Sequence, residues 1–397
     1  MVPHLRQAFN QQFTVPRYQA FLDDLNSLHP AQIDFRVAET PLFISNAFRD
    51  KLLHACESIV DVICSDDFRA LTEQAIPQGE KVPHENGFAH MISFDFGVCE
   101  SETGELEPQL IEMQGFPTLY AFQVYYPEVL RRHFEIPDNF SHYFSGYTKE
   151  SYLHMLRQLL LGKYAPEEVV LLEIKPQEQK TRIDFYCTRD YTGIETVCIT
   201  ELIPEGSALY YMRAGQKTRI QRIYNRIIFD DFKANKEALG AVVDITNSFD
   251  VEWIPHPNWF YRISKYTLPF VQHRFVPETY FLHELKQLPG NLEDFVLKPL
   301  FSFAGQGVKI DVTQQDIDAL TDPQHYILQR KVKYADIIPT PDVPAKAEIR
   351  MMYVWPEGAS RPHAAINLAR LSKGKMIGVR YNKDKEWVGG SVAFFEQ

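Results

Sequence analysis

Residues 294–310 read DFVLKPLFSFAGQGVKI, and the interpretation of the fold starts from this stretch. Lys298 ends an apolar run with strand character, so its aliphatic stem can be buried while the ammonium reaches a cleft. Seven residues on, Gly305-Gln306-Gly307 lets backbone N–H groups approach an anion with no Cβ in the way. A lysine followed by a glycine loop is a recurrent grip for triphosphate oxygens. The order GxxxxGK[ST] is absent, and so is the third glycine of GxGxxG, so neither a P-loop nor a dinucleotide fingerprint is present. A surface lysine ahead of an ordinary hairpin turn would leave the same pattern. The neighbouring segments have to separate the two.

They supply polar residues in strand settings. In YILQRKV (326–332), Gln329 and Lys331 alternate with apolar neighbours, as a strand lining a cleft would. Glu348-Ile349-Arg350 puts a carboxylate and a guanidinium on one strand face. That pair reads either as a plain ion pair or with Arg350 stabilising a transferring phosphoryl group. NLARLS adds Asn367 and Arg370. After Arg370 the only carboxylates close behind are Asp384 and Glu386, in the lysine-rich NKDKEW. Magnesium on a triphosphate needs hard oxygen ligands, so these have to come from elsewhere. Upstream, Asp95 and the run Leu110-Ile111-Glu112-Met113-Gln114 fit. Alternation puts Glu112 and Gln114 on one face, and an adjacent antiparallel strand brings Asp95 beside them.

Composition narrows the class. The chain has 397 residues, 45% hydrophobic, with net charge -11 and no long basic run, which argues against nucleic acid as a partner. No run of about 18 apolar residues occurs and residues 1–15 lack a signal-peptide core, so a soluble cytoplasmic protein with no membrane span is expected. The five cysteines, Cys56, Cys64, Cys99, Cys187 and Cys198, have no CxxC spacing and read as free thiols. The histidines show no HxH or HxxxH spacing for a metal.

Periodicity predicts helices over 45–64, capped at Ser45 or Asn46, and over 149–161, entered at Thr148 and closed by Gly162. VVLLEI (169–174) predicts a strand buried on both faces. RIDFYCT and ETVCITEL are further strand candidates, together implying βαβ units. Glu278 to Leu288 reads as a helix. DFVLKP, YILQRKV, EIRMMYVW and HAAINLARLS read as strands of one larger, mostly antiparallel sheet. Asn225-Arg226, between apolar residues, either fills a buried loop or faces a cleft.

The order Lys–glycine loop–QRKV–ExR–NLAR resembles the ATP-grasp family. With the metal residues upstream, it is similar to the circularly permuted branch that includes the synthetase domain of glutathionylspermidine synthase. Asp95, Glu112, Gln114, Pro117 and Thr118 match that branch's acidic strand and E-x-N-x-x-P-T stretch, with Gln114 in place of Asn. Ser93 stands where the branch has an arginine. Lys265 matches a lysine ahead of the ATP lobe. The resemblance implies an α/β (α+β) fold of permuted ATP-grasp topology with a Rossmann-like pre-ATP-grasp domain. It divides the chain into 1–145 with the metal hairpin, 146–258 as that pre-domain, and 259–397 as the nucleotide lobe. It further implies ATP bound by Lys265, Lys298, Gly305, Gln306, Gly307, Gln329 and Lys331. Mg2+ would be held by Asp95, Glu112 and Gln114, with catalysis by Arg350 and Arg370. The implied reaction joins a small-molecule carboxylate to an amine through an acyl phosphate. The substitutions at 93 and 114 leave open a catalytically inactive nucleotide-binding protein with a regulatory or scaffolding role. Oligomeric state has no signature.

Overall fold

The computed structural model of the protein describes residues 1–301, 305–374, 377, 382 and 384–397, with backbone alone at 230, 234 and 236. Its largest sheet has five antiparallel strands, in spatial order Gly389–Ser391, His363–Ser372, Lys346–Val354, Met91–Glu100 and Leu106–Gln114. We refer to the last four as the Arg370, Arg350, Asp95 and Glu112 strands. Alternation, interrupted by a bulge at Ile111 and an irregularity at Met352/Tyr353, gives this sheet two characters. Phe94, Phe96, Ile349, Met351 and Tyr353 point to an apolar side, where they join Leu52, Cys56, Ile59, Val60 and Ile63 of the helix Asn46–Ile63. Each such side chain stabilises the fold by roughly 1.5–3 kcal/mol through burial. The opposite side carries Asp95, Glu112, Gln114, Glu348, Arg350 and Arg370. Ser45 holds the N-cap position of that helix without a side-chain cap bond.

A second sheet of four parallel strands has the order Glu252–Ile254, Arg222–Asn225, Val169–Glu173, Glu195–Cys198. Val169–Glu173 is buried throughout, as a continuous β-branched and leucine run requires. The chain leaves this strand to one side and returns on the other. The switch in strand order therefore falls at the carboxyl ends of Val169–Glu173 and Arg222–Asn225, the place where such sheets bind ligands. Helix Lys149–Leu161 begins where expected: Thr148 accepts the Ser151 amide and Gly162 at φ +58° closes it.

RIDFYCT is not a strand. Residues Ile183–Thr192 form a helix whose buried Ile183, Asp184, Cys187, Thr188 and Thr192 recur at helical spacing. The buried Thr188 and Thr192 hydroxyls are satisfied by donating to carbonyls four residues back. Glu278–Leu288 is not a helix either. Thr279–Phe281 is a strand paired with Tyr326–Arg330, followed by a single turn at Leu282–Glu284. Here an available sheet edge overrides local helical periodicity.

The four C-terminal apolar runs are all antiparallel strands, but of two sheets. Phe295–Pro299 (the Lys298 strand) and Tyr326–Arg330 form a three-stranded sheet with Thr279–Phe281, while EIRMMYVW and HAAINLARLS belong to the five-stranded one. Strands at 91–114 and at 346–372 lie side by side in that larger sheet. Among the described residues, no helix is long and apolar enough to cross a membrane.

Candidate functional site

The polar side of the five-stranded sheet concentrates charge because four strands each place ionic residues in register. Asp95 lies opposite Glu112 on one side and Arg350 on the other, and Glu348 lies opposite Arg370. Arg350 grips Asp95 bidentately, with Nε and Nη2 each 2.6 Å from a carboxylate oxygen. Arg370 Nη2 reaches Asp95 at 2.7 Å and Glu348 at 2.8 Å. Burial alone would raise the Asp95 carboxyl, but the two guanidinium groups outweigh it and hold it below the usual range. At Glu348 burial wins over Arg370, and its carboxyl is raised. Burial lowers Arg370, yet Asp95, Glu348 and Glu112 more than reverse that.

The three-stranded sheet delivers lysines to the same place. Lys298 shares a face with Gln329 on the neighbouring strand. Its ammonium donates to the Gln329 amide oxygen and, at 2.9 Å, to the carbonyl of Ile111, the residue before Glu112. Burial pushes Lys298 down to about 8. Lys265 starts a short helical turn, is itself buried, and stands 4.0 Å from the Glu112 carboxylate. Three residues before it, the Arg262 guanidinium is fixed by Glu73 and Glu85. The glycine loop is an exposed turn with Gly305 and Gly307 at φ +72° and +71°. It folds onto the strand end beside Lys298, since a Cβ at Gly307 would come 2.8 Å from Pro299. Lys331 stands apart, with its ammonium paired to Asp311. The first part of the loop, residues 302–304, lies outside the described residues.

The hairpin therefore brings Asp95, Glu112 and Gln114 together, but not in equivalent states. Both Asp95 oxygens are taken by arginines. That geometry suits an organiser of Arg350 and Arg370 better than the metal ligand expected from the sequence. Among the described residues, no group of three His, Cys, Asp or Glu side chains is arranged for a metal. Gln114 donates its amide N–H to Glu112 at 3.0 Å, and its amide oxygen is buried with no partner among the described residues. An orphaned amide oxygen beside a partly exposed carboxylate is a fitting pair for a hard cation that keeps further ligands from phosphate and water. Ser93, opposite Gln114, also has a buried hydroxyl without a hydrogen-bond partner there.

A second polar cluster escaped the sequence reading except for Asn225-Arg226. At the carboxyl end of the parallel sheet, Arg226 is buried, with Nε and Nη1 unpartnered among the described residues and its guanidinium 5.5 Å from the Phe185 ring centroid. Asp184 accepts from the Ala121 and Phe122 amides at 2.9 Å, at the start of helix Phe122–His133, and its other oxygen has no such partner. Burial pushes Glu173 up to about 8 against the pull of Arg226. The available signal was a carboxylate closing the otherwise apolar VVLLE.

No protein-family model matches the chain, and no curated protein matches it. Among solved structures it is similar to a glutathione synthetase like-effector, GSS30, from Globodera pallida in apoform. The TM-score is 0.59 at 10% sequence identity, over 97% of this chain and 98% of that chain. At that identity the likeness speaks for the fold alone, and the fold is glutathione synthetase-like.

Proposed function

We propose that the chain is an ATP- and Mg2+-dependent carboxylate–amine ligase. The observation that carries this reading is the meeting of Lys298 with the Ile111-Glu112 backbone across the two sheets. It sets two buried lysines against the carboxylate and orphaned amide oxygen best suited to a cation. Lys298 and Lys265 hold phosphate oxygens, and Glu112 with Gln114 holds the cation. Asp95 fixes Arg350 and Arg370 against the developing charge. Arg226, with its unpartnered nitrogens at the carboxyl end of the parallel sheet, receives the substrate's negative end. ATP and magnesium, when bound, supply the phosphoryl group that makes a carboxylate reactive toward an amine. The residues themselves orient, desolvate and neutralise.

One observation favours a second reading, a nucleotide-binding protein without ligase activity. With Asp95 consumed by arginines, Glu112 is left as the hairpin's available carboxylate for a cation. The similar solved structure is also described as an effector. Equilibrium ATP binding and phosphate release separate the two, measured on wild type, Lys298→Ala and Glu112→Ala with amino acids and polyamines as acceptors. Phosphate release lost in both variants supports the ligase. Magnesium-dependent binding without release under any acceptor supports the second reading. Absence of nucleotide binding in wild type refutes both.

A further inference from the structure

The Asp95 strand loses its neighbour at Gly97. The Arg350 strand pairs with it only from Met91 to Gly97. Beyond that point residues 333–335 take the vacant ladder position, with the Glu100 amide donating to Lys333 O at 2.9 Å and the Ala335 amide to Val98 O at 3.0 Å. These residues come directly from the strand Tyr326–Arg330, whose Gln329 holds Lys298. The crossing between the two sheets is thus pinned at Tyr334, which bridges Cys99. Its ring lies on Gly97, where a Cβ would come within 2.8 Å of Cε1. Any side chain there would drive the phenol off the sheet. From this seat the phenol donates to Glu348, which lies opposite Gly97 in the ladder. Glu348 in turn holds Arg370, and Arg370 holds Asp95.

We propose that Tyr334 is a positioning residue of the site, its hydroxyl fixing Glu348 and through it Arg370. This rests on the ligase reading for its catalytic consequence but not for its geometry. A buried carboxylate that keeps only its arginine partner can rotate, whereas a second donor from a different chain segment defines its plane. The link also ties the element carrying Gln329 to the arginine that faces the ligand.

The test uses Tyr334→Phe in the full chain, which keeps the ring on Gly97 and removes the hydroxyl alone. Gly97→Ala, which displaces the phenol while leaving it present, is the second variant. Side-chain guanidinium signals of 15N-arginine-labelled protein are recorded, with Arg370 assigned through Arg370→Lys. Arg350, held by two bonds to Asp95, is the internal control for intact structure. The expected result is faster rotation about the Arg370 guanidinium in both variants, with Arg350 unchanged. Magnesium-dependent phosphate release should fall on the order of tenfold in kcat, with KM for ATP nearly constant. An Arg370 signal like that of wild type in Tyr334→Phe overturns the proposal, whatever the kinetics. So does an active wild type whose kcat is unchanged in that variant. Altered Arg370 dynamics in a protein whose wild type releases no phosphate sustains the positioning role and removes the ligase reading alone.

Discussion

Raising the pH from 7 to 9 should weaken magnesium–ATP binding, and Lys298 sets the size of the effect. In the free protein burial holds this lysine at about 8. The ammonium is thus ~90% protonated at pH 7 and ~10% at pH 9. A triphosphate placed against it restores a strong partner and lifts its proton affinity well above that range. The second ionisation of a phosphate group, near ~6, is ~90% complete at pH 7 and complete by pH 9, so the ligand's own titration changes affinity little. Binding should then take up ~0.1 proton at pH 7 and ~0.9 at pH 9, and affinity should drop about tenfold, or ~1.4 kcal/mol. Titration calorimetry in buffers of different ionisation enthalpy reads the proton count directly from the slope of apparent heat against buffer heat. Lys298→Met should bind more weakly and show neither uptake nor the pH dependence. Uptake near zero at pH 9 with normal binding would refute the argument, as would a pH profile that survives in Lys298→Met.

The same lysine affects stability without ligand. Its folded-state proton affinity lies below its unfolded value, so the unfolded chain binds more protons between pH ~8 and ~10.5 and stability rises with pH there. Lys298→Met should therefore raise the unfolding free energy from urea titration at pH 7 by a net ~1–2 kcal/mol after the carbonyls it leaves unsatisfied, and the gain should shrink toward pH 10. Asp95→Asn leaves the buried Arg350 guanidinium facing a neutral amide, with the partly exposed Arg370 held by Glu348 alone, and should cost about 3–5 kcal/mol in denaturant unfolding. A loss under 1 kcal/mol would mean the cluster is not coupled as drawn. Gly307→Ala should lower nucleotide affinity and stability together, since it strains a φ of +71° and meets Pro299. An unchanged melting temperature would count against that packing.

Local alternation made much of this site legible. The pairing of Asp95 with Glu112, and of both with Gln114, follows from two strands close in sequence. The meeting with Lys298 depends on a contact 187 residues apart. The actual use of Asp95 was not legible, because its partners Arg350 and Arg370 arrive 255 and 275 residues later. No local pattern announces that a carboxylate is already neutralised. Lys331 shows the opposite failure: alternation gave it the Gln329 face, but the strand ends at Arg330 and Asp311 captures the ammonium. Helix Ile183–Thr192 differs from the strand expected there because β-prone residues at helical spacing look like a strand in a short window. The Glu173–Arg226 cluster depends on strand order, which the sequence does not print.

The side-by-side placement of strands 91–114 and 346–372 also governs when the site can exist. During synthesis the hairpin at 91–114 emerges early with its acidic side unpaired, and Asp95 waits for arginines that come more than 250 residues later. At about 5–20 residues per second, that is a delay of tens of seconds during which one side of a central strand is open to other strands. A ribosome-bound chain halted before residue 346 should hold the parallel sheet yet lack the Asp95 cluster, leaving the unfinished sheet edge exposed to aggregation.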